Sequence, residues 1–125
     1  MIKGIGIDLI ENSRIKILYA KYGHIFAKKI LSETEITEFN KSKSPVSYLS
    51  KHFASKEALS KALGTALYRK GVYPSKLVID HDKSGKPFFV KTNTLIKILK
   101  SISANNIFLT ISDTDSHSTA MVLVE

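Results

Sequence analysis

The sequence contains no cysteine and no long apolar run. Without cysteine, neither a disulfide nor a thiolate metal site can form. A membrane-spanning helix needs about 18 or more apolar residues in succession, and no segment approaches that length. The first residues also lack the charged and apolar regions of a signal peptide. We therefore expect a cytoplasmic protein without a membrane partner.

Acidic residues are scarce, and their distribution is uneven. The 125 residues include 19 Lys and Arg against 11 Asp and Glu, which gives a net charge of +8 and a pI near 9.7. Residues 12–32 contain no acid, and their cations are Arg14, Lys16, Lys21, Lys28 and Lys29. This balance indicates an anionic partner. Runs of like charge are also typical of solvated faces and of nucleic-acid-binding surfaces.

The segment of residues 53–64 reads FASKEALSKALG and combines small apolar residues with a carboxylate and two lysines. At about 100° per residue, a helix places Lys56, Glu57, Ser60, Lys61 and Gly64 within an arc of roughly 140°. We expect the apolar side to pack and the polar side to be free for a metal and phosphates. The same pattern also fits a plain amphipathic helix with a Glu57/Lys61 pair, which is worth only about 0.2–0.5 kcal/mol.

A second polar pattern, GIGID, occupies residues 4–8. Strand side chains alternate between two faces, so Gly4, Gly6 and Asp8 share one of them. Glycine within a strand often marks the close approach of a ligand or of another backbone. Asp8 is therefore placed to reach a metal or a phosphate-bound cation. The alternative is that Asp8 simply ends the strand before the next helix.

Together, the two segments resemble the holo-acyl carrier protein synthase family of 4'-phosphopantetheinyl transferases. Short members of this family begin with G-hydrophobic-G-hydrophobic-D followed closely by an arginine, which is met here by residues 4–8 and Arg14. Later they carry F-x-x-K-E-A-x-x-K-A-x-G, whose specified positions are Phe53, Lys56, Glu57, Ala58, Lys61, Ala62 and Gly64. The resemblance continues through Gly85-Lys86-Pro87 and a C-terminal hairpin, so it covers nearly the whole chain.

The resemblance implies transfer of 4'-phosphopantetheine from coenzyme A to a serine of apo-acyl carrier protein, with release of adenosine 3',5'-bisphosphate. Asp8 and Glu57 match the family positions that hold Mg²⁺, a hard cation that binds one or two carboxylates together with phosphate oxygens and waters. Lys61 would neutralise charge on the pyrophosphate as the bond breaks. The implied catalytic residues are thus Asp8, Glu57 and Lys61. The acceptor of the serine proton stays open, since a metal-held water could pass it to either carboxylate.

The resemblance also implies that coenzyme A binds along the helix and at a later turn, through Lys56, Ser60, Lys61, Gly64, Gly85, Lys86 and Pro87. By residue type alone, Gly85-Lys86-Pro87 is equally an ordinary hairpin turn. His52 stands where many relatives carry an arginine, which departs from the family's pattern. Asp113 begins the C-terminal turn and has no assigned role.

The acid-free segment is implied to dock an acidic carrier protein, through Arg14, Lys21, Lys28 and Lys29. A rival interpretation is a basic nucleic-acid-binding domain without catalytic activity, which the net charge and five tyrosines would fit. Against it, the chain has no recognition-helix pattern and no aromatic RNA-binding strand. The Asp8/Glu57 pair would also place negative charge beside a polyanion. We therefore expect no nucleic-acid partner.

The residue patterns predict a single domain over residues 1–125, with an α+β fold in which a small antiparallel sheet packs with helices. Strands are predicted at 2–9, 76–80, 87–91, 107–113 and 117–125. Helices are predicted from about Asn12 to Gly23 with a cap at Asn12 or Ser13, from a capping box at Ser32, from Pro45 to before Gly71, and around 95–102. The first strand is expected to bring Asp8 near the long helix.

The working unit is expected to be an oligomer, most simply a homotrimer with shared sites. Longer members of the resembled superfamily carry two copies of the module with the site between them, whereas this chain has each motif once. Gly4 and Gly6 are expected to leave a flat face that suits close approach by a neighbouring chain. A closed ring would supply a repeated cleft at each interface.

Overall fold

A long helix packs against a three-stranded antiparallel sheet in the computed structural model, which describes all 125 residues. The elements are, in order, β1 (Gly4–Glu11), α1 (Asn12–Tyr22), α2 (His24–Ile30), α3 (Glu33–Phe39), α4 (Pro45–Ala62), a 3-10 turn (Pro74–Lys76), β2 (Ile79–His81), β3 (Pro87–Phe89), α5 (Asn93–Ser101), β4 (Ile107–Asp113) and β5 (His117–Val124). The expected α+β fold is confirmed. None of the helices has the length and apolar character that crossing a bilayer would require.

The sheet has the strand order β1-β5-β4, so the first strand pairs with the last. In this register Gly4 lies opposite Val124, and Asp8 lies opposite Ala120. The inward residues of β5 belong to the buried core, together with apolar residues of α4. β2 and β3 form a separate two-stranded hairpin. One face of the main sheet is therefore covered by α4.

Two glycines let β1 touch the backbone of α4. A Cβ at Gly4 would lie 1.8 Å from the carbonyl oxygen of Ala62, and one at Gly6 would lie 1.9 Å from that of Ala58. Neither position can hold a side chain without displacing a helix backbone. The expectation that this glycine face is free for a neighbouring chain is therefore wrong, because the chain's own α4 covers it.

The opposite face of the sheet is exposed and apolar on all three strands. Ile5, Ile7 and Leu9 of β1 are 58%, 61% and 67% exposed, and Phe108 of β4 and Met121 of β5 are 49% and 40% exposed. Strand alternation produces this arrangement, because the inward positions of β1 are taken by Gly4, Gly6 and Asp8. We call these five apolar side chains the outer sheet patch.

Glycines also set two helix boundaries, of which the sequence predicts the end of α1 at Gly23 but not the end of α4. α4 ends at Ala62, well before Gly71, because Gly64 has a φ of +73° in the left-handed region that stops a helix. α2 is absent from the predicted elements. Gly23, with a φ of +58°, separates it from α1.

The helix N-termini differ in how they are capped. The Ser32 capping box is confirmed, since Ser32 N–H donates to Glu35 Oε1 at 2.8 Å and the Ser32 hydroxyl accepts from Glu35 N–H. α1 has no side-chain cap, contrary to expectation. Asn12 instead donates to the carbonyls of Thr114 and Asp115, which fixes the start of α1 to the turn before β5.

Candidate active site

Asp8 lies on the face of β1 that meets α4. Its backbone oxygen accepts a hydrogen bond from Thr119 Oγ1 of β5 at 2.7 Å. Its carboxylate Oδ1 accepts one from Lys61 Nζ at 3.0 Å, and the same ammonium donates to the carbonyl of Ile7 at 2.9 Å. The Asp8 side chain is 16% exposed and that of Lys61 is 52% exposed. Strand and helix are thus joined at the predicted polar groups, and the Lys61 ammonium stays accessible to a ligand.

Glu57 lies one helical turn before Lys61 and is half-buried. Burial raises the pKa of Glu57, the Asp8 carboxylate raises it further, and the Lys61 ammonium opposes both effects. Lys61 forms its salt bridge with Asp8, and Glu57 forms none. The structure therefore brings Asp8, Glu57 and Lys61 together, as the sequence predicts, in a site with two carboxylates and one cation.

This pair of carboxylates fits Mg²⁺ better than it fits a metal held by protein ligands alone. No group of three or more His, Cys, Asp or Glu side chains is gathered in the protein. Mg²⁺ commonly takes one or two carboxylates and completes its shell with waters and substrate phosphates. The repulsion that contributes to the raised pKa of Glu57 is also the repulsion that a bound cation would relieve.

A cavity of about 230 Å³ opens beside the two carboxylates. Its walls are mostly apolar and come from β1, α1, α2 and α4, through Asp8, Leu9, Ile10, Arg14, Ile15, Leu18, Phe26, Phe53 and Glu57. Arg14 is the one cation in this lining, so the acid-free segment reaches the carboxylate pair. Mostly apolar walls with a few convergent polar groups are typical of a ligand site. We call it the carboxylate cavity.

Lys56 and Ser60 do not lie on an exposed face, contrary to expectation. Lys56 is fully buried, and its ammonium donates to Glu35 and to two backbone carbonyls. Burial lowers the pKa of Lys56, and the Glu35 carboxylate opposes that shift. Ser60 is 1% exposed, and its hydroxyl donates to the Glu57 carbonyl at 2.7 Å. Helical periodicity places both residues on the polar side but does not reveal which segments pack over it.

Gly85 and Lys86 lie in the turn between β2 and β3, and Pro87 begins β3. Gly85 has a φ of +87°, and Asp82 Oδ1 accepts hydrogen bonds from the backbone N–H groups of Ser84 and Lys86 at 2.8 and 3.0 Å. The Ser84 hydroxyl, at 2.7 Å, and these N–H groups hold the pKa of Asp82 below its ordinary value. The Lys86 side chain is exposed. The turn is thus preorganised and presents a cation.

A second cavity, of about 380 Å³, adjoins this turn. Its lining residues are Glu38, Tyr48, Lys51, His52, Ile79, His81, Gly85, Pro87, Ile111 and Asp113. His52 and Asp113 therefore lie beside the predicted coenzyme A turn. His52 is buried and stacks on Tyr48 with ring centres 4.0 Å apart, and burial lowers its pKa to about 4. We call it the turn cavity, and it shares no lining residue with the carboxylate cavity.

The predicted docking residues Arg14, Lys21, Lys28 and Lys29 are all exposed on α1 and α2. Apolar side chains are exposed among them: Ile17 is 66%, Tyr22 is 48% and Ile25 is 68% exposed. The sequence predicts the cations of this surface but not the exposure of these apolar neighbours. Ile17 and Tyr22 lie on α1, whose apolar spacing gives no separate signal because the same helix also buries Ile15, and Ile25 lies on α2, which is absent from the predicted elements.

Comparison with known proteins gives matches along the whole chain. The family model described as the 4'-phosphopantetheinyl transferase superfamily matches residues 4–120. A holo-acyl-carrier-protein synthase of Nitrosospira multiformis is 42% identical over 100% of this chain and 99% of its own. The crystal structure of the Neisseria meningitidis holo-acyl-carrier-protein synthase has a TM-score of 0.94 and 40% identity, covering 100% and 99% of the two chains. A Bacillus anthracis holo-acyl-carrier-protein synthase in complex with coenzyme A (3',5'-ADP) has a TM-score of 0.82 and 31% identity, covering 100% and 97%.

Fold, site and matches define the class of protein. The chain belongs to the 4'-phosphopantetheinyl transferase superfamily. Within it, the curated relatives that are 38% and 42% identical to this chain are holo-acyl-carrier-protein synthases. The family resemblance that the two motifs carry is confirmed, and so is the expectation of an enzyme.

Removal of the Asp8 charge is expected to lower the pKa of Glu57. In Asp8→Asn the repulsion between the carboxylates is lost, but the burial that contributes most to the raised pKa remains. The pKa of Glu57 should therefore fall and still stay above its ordinary value. Titration of the Glu57 carboxyl carbon by NMR measures this, with Asp115→Asn in the turn before β5 as the control. An unchanged Glu57 titration in Asp8→Asn would contradict the described coupling.

Proposed function

We propose that the chain transfers 4'-phosphopantetheine from coenzyme A to a serine of apo-acyl carrier protein, with release of adenosine 3',5'-bisphosphate. We further propose that residues 1–125 act as a single transferase domain in the cytoplasm. The observation that carries the proposal is the joining of Asp8, Glu57 and Lys61 between β1 and α4. Family membership and the two cavities beside the motif residues support it.

The reaction forms a bond from the serine oxygen to phosphorus and breaks the pyrophosphate bond. We assign Mg²⁺ to Asp8 and Glu57, where it would neutralise pyrophosphate charge that repels the nucleophile. Lys61 lies beside them and supplies a second positive charge toward the leaving phosphate. The serine proton would pass through a water to Asp8 or Glu57, because a bound Mg²⁺ would oppose the burial that raises the pKa of Glu57 and would leave it a weak base on its own.

The coenzyme A contacts that the geometry supports are fewer than those that the motif implies. Lys61 and Gly64 are exposed at and just after the end of α4, and Gly85 and Lys86 lie in the preorganised turn that leads into Pro87. We propose these five residues as coenzyme A contacts. Lys56 and Ser60 have no part in that set, because both are buried and their polar atoms bond within the chain. We propose that the carboxylate cavity takes the flexible phosphopantetheine arm.

The carboxylate of Glu57 is expected to be required for transfer. Glu57→Gln should lower the transfer rate by about 100-fold or more, a cost typical of losing one transition-state group. The melting temperature of this variant at pH 7 should not fall. The pKa of Glu57 is raised in the folded state, so its ionised carboxylate destabilises the fold at pH values above the ordinary pKa of glutamate, and glutamine removes that charge. The assay is the mass of an apo-acyl carrier protein after incubation with coenzyme A and Mg²⁺. Wild-type activity of Glu57→Gln at limiting Mg²⁺ would refute the metal assignment, and no mass gain with the wild type would refute the function.

We propose that α1 and α2 dock the acidic carrier protein through Arg14, Lys21, Lys28 and Lys29. Paired reversal of Lys28 and Lys29 to Glu should raise the KM for the carrier protein about tenfold and leave the KM for coenzyme A nearly unchanged. Exposed charges act mainly on the encounter rate, so added salt should slow the wild type more than the variant. Paired reversal of Lys97 and Lys100 on α5 is the matched charge control. Equal loss of affinity for both substrates would contradict a dedicated docking face.

We propose that the enzyme is a homotrimer whose sites are shared between chains. The outer sheet patch is apolar and exposed, which is typical of a subunit interface. Within one chain, the carboxylate cavity and the turn cavity share no residue. Assembly in a closed ring would let the turn of one chain complete the carboxylate site of the next.

A charge placed in the outer sheet patch is expected to dissociate the trimer and abolish transfer. Ile7→Glu puts a carboxylate at the centre of the apolar face without entering the core of its own chain. Light scattering should report a change from three chains to one, and activity should fall in parallel. Asn105→Glu, an exposed substitution of the same charge outside the patch, should change neither. A monomeric variant with full specific activity would refute shared sites.

A further inference from the structure

Lys56 donates all its ammonium hydrogens inside the protein. Its Nζ lies 2.7 Å from the Ile30 carbonyl oxygen at the end of α2, 2.6 Å from Glu35 Oε1 on α3 and 2.8 Å from the Pro74 carbonyl oxygen in the 3-10 turn. An ammonium has three hydrogens to donate, so none remains for a ligand. One side chain of α4 is thereby fixed to three separate segments.

Glu35 extends this connection to the hairpin that carries Gly85 and Lys86. Its Oε1 also accepts from the Ser32 N–H at 2.8 Å, and its Oε2 accepts from the Ile79 N–H at 2.8 Å. Ile79 is the first residue of β2. The nitrogen His52 Nε2 lies 3.7 Å from Oε2, and its low pKa leaves the imidazole neutral. The carboxylate therefore joins the start of α3, the start of β2 and, through Lys56, the middle of α4.

We infer that Lys56 and Glu35 are a positioning pair, which fixes Glu57 and Lys61 on α4 relative to the hairpin of β2 and β3. The inference rests on the proposed function, because it concerns the geometry of that site. Lys56 directly precedes Glu57, so a rotation or shift of α4 that breaks its bonds also moves the metal carboxylate. The hydrogen bonds of the pair are directional. They connect α4, which carries Glu57 and Lys61, to β2 of the hairpin.

Stability alone is a weak reason for this pair. Taking an ammonium and a carboxylate out of water is costly, and neutral or apolar replacements of a buried ion pair are often no less stable. Both side chains are at most 1% exposed, so the cost applies in full. What an apolar pair cannot reproduce is the set of bonds to Ile30, Pro74 and Ile79. Misplacement of a catalytic group by about 1 Å can lower a rate about 100-fold.

The test compares Lys56→Met with the double variant Lys56→Met/Glu35→Gln. The single variant leaves a buried carboxylate without its counterion and is expected to be unstable. The double variant removes both charges and nearly keeps side-chain length. It is expected to fold with a melting temperature above that of the single variant and below that of the wild type, because the Ile30 and Pro74 carbonyls lose their donor. Its kcat should fall about tenfold or more, and its half-saturating Mg²⁺ concentration should rise. The pKa of Glu57, measured by NMR without metal, should also fall, because a looser α4 moves Glu57 away from Asp8 and admits water.

Leu99→Ala, a cavity variant in the buried core of α5, is the control for lost stability. It should lower the melting temperature without changing kcat, the Mg²⁺ requirement or the Glu57 titration. A double variant with wild-type kinetics and an unchanged Glu57 pKa would overturn the inference. So would a double variant that does not fold, because the pair would then be needed for stability. An inactive wild type would instead refute the proposed function.

Discussion

The contact between the backbone of β1 and the backbone of α4 is the constraint on which the site depends. Hydrogen is the largest substituent that fits at Gly4 and Gly6, whose Cβ positions fall within 2 Å of helix carbonyl oxygens. At the next inward position of β1, Asp8 has room for a carboxylate and meets Lys61. The two glycines therefore bring strand and helix so close that Asp8 of β1 meets Lys61 of α4.

Charge is distributed very differently on the two sides of α4. Toward β1, the charges of Glu57 and Asp8 are incompletely neutralised by one lysine, so this side of α4 favours a cation. Toward α3, the charges of Lys56 and Glu35 compensate each other, and both side chains are buried. Lys56 and Glu57, consecutive residues of one motif, thus lie in different environments, since the first is directed into the protein and the second lines the carboxylate cavity.

The sequence was sufficient to predict what depends on local pattern. The alternation in β1, the capping box at Ser32 and the helical spacing of Glu57 and Lys61 all appear in the structure where expected. Periodicity gave the wrong environment for Lys56, because a helical wheel separates polar from apolar residues but cannot show that a distant Glu35 receives a buried ammonium. The expectation that the glycine face of β1 is free is also wrong, since only the tertiary structure shows α4 lying on Gly4 and Gly6.

The pairing of the first strand with the last has a consequence for the order of events during synthesis. Asp8 is held in place through β5, where Thr119 donates to its backbone and Ala120 lies opposite it. More than a hundred residues separate these partners, and contacts so distant in sequence form late in folding. A nascent chain that already exposes both motifs therefore lacks the carboxylate site until residues 117–124 have left the ribosome.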